Sequence, residues 1–145
     1  TFGRLTAASA DGRRCGAPLS KNIGAVTGAD HEGITALVES ACAIDGQRLA
    51  NGTVLDAVLH PSAVAGADGL AAMIGLVQTF IASGGYAIQL NIFDPAVLRD
   101  AQRNPDAYRT LQVRVCGWNA YFVDLARAEQ DDFIRRSEVG AEELQ

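Results

Sequence analysis

The chain has 145 residues, 48% of them hydrophobic and 20% charged, a composition typical of one soluble globular domain. Its formal net charge is −5, and the 12 basic residues are scattered among 17 acidic ones, which argues against a nucleic-acid-binding surface. The sequence has no run of ~20 apolar residues and no opening signal-peptide pattern, so we expect no membrane partner.

The cysteines and histidines are isolated from one another. Cys15, Cys42 and Cys116 contain no Cys-x-x-Cys pair, which argues against a disulfide framework or a zinc site and favours the cytoplasm. His31 and His60 lie beside turn-forming residues. We therefore expect turns at both histidines and no metal site.

The first predicted elements follow a loop-rich start. Residues 1–30 are rich in Gly, Ala, Ser and Asp without sustained periodicity, which predicts a loop segment that packs on a larger body. Residues 31–145 form the predicted α/β segment. Helical spacing predicts a helix over residues 34–42, and a short apolar run predicts a strand over residues 53–59.

The next helix has the clearest periodicity in the chain. One face carries apolar residues at i, i+3, i+4, i+7 and i+11, and we assign this stripe to the protein core: Leu70, Met73, Ile74, Val77 and Ile81. Gly84-Gly85 ends the helix. A strand over residues 86–93 follows.

The last elements are predicted from caps and turn residues. Asp94 before Pro95 indicates a helix start, and that helix extends to about Arg103. A strand is predicted over residues 110–115, followed by a glycine loop. Asp124 is the predicted cap of a helix through Arg136, with residues 138–145 as a frayed acidic tail. Alternating strands and helices predict parallel pairing with right-handed crossovers.

Gly117 lies where packing favours a side chain, between the apolar stretches 110–113 and 120–123. We expect it to be buried. A glycine at a strand end usually marks a turn or a close backbone approach. A second use is chemical, because loss of an α-hydrogen leaves a flat radical centre that a β-carbon would crowd.

Several motifs in one order resemble glycyl radical enzymes, the pyruvate formate-lyase superfamily. Arg114-Val115-Cys116-Gly117-Trp118, followed by Gln130-Asp131 and Ile134-Arg135-Arg136, is similar to that family's radical loop and its helix. Upstream similarities extend the match over nearly the whole chain: residues 10–18, residues 84–91, and the set Asp100, Asn104 and Tyr108.

The resemblance implies a fold and a chemistry. It implies the last part of a ten-stranded β/α barrel, with a βαβαβ segment, the glycine loop and a C-terminal helix, and a glycyl radical domain over about residues 86–145. Gly117 would carry an oxygen-sensitive radical made by an activating enzyme with an iron–sulfur cluster and S-adenosylmethionine, with no cofactor bound to this chain. The thiyl-forming cysteine lies outside this sequence, and a homodimer and anaerobic metabolism are implied.

Supporting residues are inferred around Gly117. The radical loop would be supported by Arg114, Val115, Cys116, Trp118 and Asn119, with Tyr121 and Phe122 adding to an apolar wall. Arg114 either holds the loop by bonding backbone carbonyls or a carboxylate, or is a solvated surface arginine. The apolar residues are otherwise explained as ordinary core. Gln89 and Asn91 point to one side of a strand. They either line the active cavity or bond the glycine loop, or else form a satisfied polar pair at the barrel end.

Three functions remain open at this point. The first is the radical-bearing part of a lyase, dehydratase, decarboxylase or acyltransferase, inactive by itself. Cys116 and Trp118 in the loop favour arylacetate decarboxylases. The second is an autonomous spare part that restores the radical of an oxygen-damaged partner. The third is a structural domain in which Gly117 only makes a turn.

Overall fold

The structure is a computed structural model that describes residues 3–26, 28–115 and 117–142. Predictions on Cys116 and on the last three tail residues therefore lie outside the described residues. Residues 3–26 and 28–32 form turns, bends and irregular chain, and regular structure begins at the first helix.

The first half is a parallel βαβ unit with a helix before it. Helix α1 spans Gly33–Cys42, strand β1 Val54–Leu59, helix α2 Gly66–Ala82 and strand β2 Ala87–Ile92. The two strands are parallel, with Leu55 opposite Ile88. The parallel pairing predicted for these strands is confirmed, because α2 supplies the crossover that returns the chain to the same end.

The second half is built differently from the prediction. Helix α3 spans Pro95–Arg103, and the Asp94 side chain accepts a hydrogen bond from the Ala96 N–H at 2.7 Å, as predicted. Strand β3 (Gln112–Val115) does not join the parallel sheet. It pairs antiparallel with strand β4 (Trp118–Tyr121), because the two-residue connection allows a hairpin and no crossover.

The C-terminal helix α4 spans Arg127–Glu142. The prediction that Asp124 caps it is wrong, because Asp124 ends a short 3-10 turn, and the Ala126 carbonyl accepts from the N–H groups of Glu129 and Gln130. The frayed tail is also wrong for residues 138–142, which continue the helix.

Two separate hydrophobic cores hold the chain together. One joins α1, α2, β1 and β2 around Val38, Leu55 and Phe80. The other joins α3, the hairpin and α4 around Leu98, Phe122, Phe133 and their neighbours. Gly117 therefore belongs to the unit built on the second core.

Most of the apolar stripe on α2 does not face a core of this chain, contrary to the prediction. Leu70 is 59% exposed, Ile74 49% and Ile81 66%, whereas Gly69 and Phe80 are buried. Phe80 packs toward β1 and α1, which turns the opposite face of the helix outward. The predicted helix is confirmed, but most of its apolar stripe is exposed in the described part of the chain.

Candidate functional site

Gly117 lies at the tip of the β3–β4 hairpin. Val115 opposite Trp118 is the last cross-strand pair, and Gly117 lies directly before Trp118 in the connection between the strands. The φ of Gly117 is 93°, in the left-handed region that costs an L-residue with a side chain ~1–2 kcal/mol. Short hairpin loops use such glycines because positive φ matches the twist of the strands.

The expectation that Gly117 is buried is wrong for this chain. The residue is exposed, and a β-carbon added to it would meet nothing within 4 Å. Glycine is favoured here by its positive φ, and lack of space for a side chain is not the reason. An open α-carbon at the tip of a hairpin is also reachable by another protein.

Arg114 bonds the loop carbonyl. Its Nη2 donates to the Gly117 oxygen at 3.1 Å, and Asn119 is its exposed cross-strand neighbour. A bond to a backbone carbonyl is one of the alternatives that the sequence left open for Arg114, and the side chain is also exposed to solvent. The Arg114 side chain thus connects strand β3 to the tip of the hairpin.

The predicted apolar wall around Gly117 forms only in part. Val115 and Phe122 are buried, with 7% and 0% exposure. Trp118 is 60% exposed and Tyr121 44%. By the strand register, Trp118 lies on the same face as buried Val115, whereas Tyr121 lies on the opposite, exposed face with Arg114 and Asn119.

The base of the hairpin is held by a residue that sequence reasoning gave no role. The carboxamide of Gln130 is buried against the turn that follows β4 and donates to the Phe122 carbonyl at 2.9 Å. A signal was present in the sequence. Gln130 shares a helical face with Phe133, Ile134 and Ser137, and a polar residue on a buried face needs a partner.

Gln89 and Asn91 lie on the polar face of the parallel sheet. Asn91 is 5% exposed and Gln89 is half-buried. Gln89 is opposite Asp56 of β1, so these side chains share a face. In the described part of the chain, no hydrogen bond joins either residue to the hairpin.

Asp56 is the unexpected charged group of this face. It is 4% exposed, the Asn22 amide donates to Oδ2, and Oδ1 is buried without a partner among the described residues. Burial raises the pKa of its carboxyl, against the opposing effects of Arg136, the Asn22 hydrogen bond, Lys21 and Arg114.

The motif residues of α3 fasten that helix to the chain before the hairpin. The Tyr108 hydroxyl donates to Asp100 Oδ2 at 2.7 Å, and the Asn104 amide donates to Oδ1 at 2.9 Å. The hydrogen bond from Tyr108 is the main reason that the pKa of Asp100 is lowered and that of Tyr108 raised. These contacts set the point at which β3 begins.

Two classes of site are absent from what the structure describes. The described residues contain no group of three or more His, Cys, Asp or Glu side chains able to hold a metal ion. None of the described helices combines the length and hydrophobicity that crossing a bilayer requires.

Comparison with known proteins identifies the class. The fold of this chain, a βαβ unit followed by a glycine-tipped hairpin and a helix, superposes on a solved glycyl radical enzyme from Archaeoglobus fulgidus. Residues 19–123 match the glycine radical family, and this range includes the whole hairpin. The chain belongs to the glycine radical family.

Relatives include dehydratases and decarboxylases. Trans-4-hydroxy-L-proline dehydratase of Clostridioides difficile is 40% identical over 94% of this chain and 17% of the relative. The 4-hydroxyphenylacetate decarboxylase glycyl radical subunit of C. difficile (strain 630) is 38% identical, over 94% of this chain and 15% of the relative.

The structural comparison agrees. The glycerol-bound, B12-independent glycerol dehydratase of Clostridium butyricum superposes with a TM-score of 0.84 and 38% identity, over 94% of this chain and 17% of that chain. The chain thus spans only 15–17% of the length of these three proteins.

Proposed function

We propose that the chain is the radical-bearing part of a glycyl radical lyase and stores an unpaired electron on the α-carbon of Gly117. The observation that carries the proposal is the position of Gly117, at the exposed tip of a hairpin inside the family match. Glycine suits the role because its radical centre must be flat and spread over the flanking amides.

The proposed chemistry transfers one hydrogen atom at a time. An activating enzyme with an iron–sulfur cluster and S-adenosylmethionine removes hydrogen from the Gly117 α-carbon. The glycyl radical then takes hydrogen from a cysteine thiol, so that a C–H bond forms and an S–H bond breaks. The resulting thiyl radical takes a hydrogen atom from the substrate, so that an S–H bond forms and a substrate radical is left. After the substrate radical has rearranged, the product radical takes the hydrogen atom back from the cysteine. The thiyl radical then takes hydrogen from Gly117, which restores the glycyl radical.

The thiyl cysteine is proposed to lie outside these residues. Cys15 is exposed in the N-terminal loop. Cys42 is half-buried, with Sγ directed to the Phe80 carbonyl at 3.9 Å, in the core of the other unit. By itself the chain is therefore expected to store a radical without completing turnover.

The rest of the enzyme is proposed to cover the open apolar surfaces. Relatives are about six times longer, and this chain leaves Leu70, Ile74 and Ile81 of α2 and Tyr86 before β2 exposed. A barrel around these surfaces and around the hairpin would also keep water and oxygen from the radical. Dimerisation is proposed for that longer protein.

The reaction is proposed to be a dehydration or a decarboxylation. Both are represented among relatives of nearly equal identity, at 40% and 38%. The Cys-Gly-Trp sequence at the hairpin tip favours a decarboxylase that acts on an arylacetate.

Electron paramagnetic resonance after anaerobic activation tests the radical directly. We expect a doublet signal from wild type and none from Gly117→Ala. Gly84→Ala is the matched control, because Gly84 also has positive φ, 79°, and nothing within 4 Å of an added β-carbon. Both alanines carry similar backbone strain, so only loss of the radical site separates them.

Two further experiments distinguish radical storage from the spare-part and structural functions. Brief exposure to air should cut activated wild type at residue 117 into two fragments of calculable mass. Rescue of an air-inactivated partner by the chain would instead support the spare-part function. A folded wild-type protein that binds its activating enzyme without giving a doublet would overturn the proposal in favour of a structural turn.

A further inference from the structure

A buried glutamine holds the segment that follows the glycine hairpin. Gln130 on α4 is 7% exposed, and its Nε2 is directed to the carbonyls of Phe122, Val123 and Leu125 at 2.9, 3.4 and 3.2 Å. A carboxamide has two N–H donors, so it bonds the nearest carbonyl well and shares the other two. Three carbonyls of the 3-10 turn that follows β4 are thus held by one side chain.

This contact lies at the base of the hairpin. Strand β4 ends at Tyr121, and the next N–H, that of Phe122, donates to the Leu111 carbonyl at 2.8 Å and extends the β3–β4 ladder. Phe122 is fully buried. The residue whose carbonyl Gln130 holds is therefore the residue whose N–H closes the hairpin.

Helix α4 is itself fixed to the first unit. Lys21 forms an ion pair with Asp132 at 2.8 Å, with 12% and 13% of the two side chains exposed. Arg136 donates to the backbone carbonyl of Asp56 on β1 at 3.0 Å. Both contacts come from residues within six positions of Gln130, so the helix links the sheet to the hairpin.

We propose that Gln130 is a positioning residue that sets the place of Gly117 relative to the polar face of the β1–β2 sheet. Gln130 acts by holding the Phe122 carbonyl, and its effect passes to the tip through the four residue pairs of the β3–β4 hairpin. At the tip, Arg114 holds the carbonyl of Gly117. The inference rests on the proposed function, because position matters when Gly117 exchanges hydrogen with another group.

The test compares two glutamines in the full-length protein. Gln130→Met removes the donors at similar side-chain length. Gln102→Met is the matched control. The carboxamide of Gln102 on α3 also donates a hydrogen bond, but to the side chain of Asp131 on α4, at 2.8 Å from Oδ1, and not to the segment that follows the hairpin. Gln130→Asn keeps an amide on a shorter side chain and serves if the methionine variant folds poorly.

Two readouts are measured in each variant. In Gln130→Met, amide exchange over residues 112–121 should accelerate about tenfold, equivalent to ~1.4 kcal/mol, while that of β1 stays unchanged. The glycyl radical doublet should fall in intensity per chain after activation, and Gln130→Asn should lie between wild type and Gln130→Met. Gln102→Met should match wild type in both readouts.

The outcomes separate this inference from the proposed function. Equal acceleration in the hairpin and in β1, or an unchanged hairpin, would make Gln130 an ordinary core residue and overturn the inference. A tenfold local change with an undiminished doublet would also overturn it. If wild type gives no doublet, the proposed function fails first, and the exchange data alone report how the hairpin is held.

Discussion

Asp56 places a carboxylate in the buried interior, on strand β1, where a charge is unfavourable. Burial raises its pKa, so the folded protein binds this proton more tightly than the unfolded chain does. Stability therefore falls as the pH rises from the ordinary carboxyl value of about 3.9 through the raised folded pKa, and the deficit persists above it. Arg136, Lys21 and Arg114 reduce the cost without removing it.

Asp56→Asn should remove this cost while keeping the side-chain shape. We expect the variant to be more stable than wild type at pH 7 and the difference to shrink toward pH 4, measured by urea unfolding across that range. Asp68→Asn, on the exposed first turn of α2, controls for the loss of one negative charge. A variant less stable than wild type at pH 7 would show that attraction by the three cations outweighs burial.

At the scale of elements, sequence patterns identified what depends on local chemistry. The Asp94 cap and the β1–α2–β2 crossover followed from residue type and periodicity. Strand β4 was missed because four residues are too short to show a period, and the glycine before it was treated as loop. Asp56 was missed because its partners Asn22 and Arg136 are brought to it only by tertiary packing. Gln130 was missed although it lies on an apolar helix face with partners only five to eight residues away.

The hairpin tip carries its own probe, because Trp118 is the only tryptophan of the chain. Arg114→Met removes the bond to the Gly117 carbonyl and keeps an aliphatic stem, so the tip should move more freely. Time-resolved fluorescence anisotropy of Trp118 should show a larger fast depolarisation. The melting temperature should change little, because exposed hydrogen bonds contribute only about 0.5–1.5 kcal/mol.

Arg109→Met is the control for this element. Arg109 is an exposed arginine on the turn before β3 and pairs with Asp106 at 2.5 Å, so its loss leaves the hairpin tip untouched. We expect wild-type anisotropy from this variant. The same depolarisation in both arginine variants would mean that charge in general, and not the Gly117 carbonyl contact, orders the tip.

The described residues form two cores that α4 links, and they leave one apolar face of α2 exposed. Leu70, Ile74 and Ile81 together form an apolar surface on α2 of the kind that marks an interface. If the longer protein covers this face, each side chain contributes about 1.5–3 kcal/mol there and almost nothing in the 145-residue chain.

Ile74→Ser measured in both contexts decides whether that face is covered. In the 145-residue chain, serine replaces a side chain that is already 49% exposed, so the midpoint of thermal unfolding should shift little and self-association in light scattering should fall. In the full-length protein the same change should lower the unfolding midpoint, because a buried apolar contact is lost. Phe80→Ser, a change in the buried core, should destabilise both. Equal, small effects of Ile74→Ser in both contexts would mean that the α2 face remains open to solvent in the longer protein, and that the radical unit is joined to it through other surfaces.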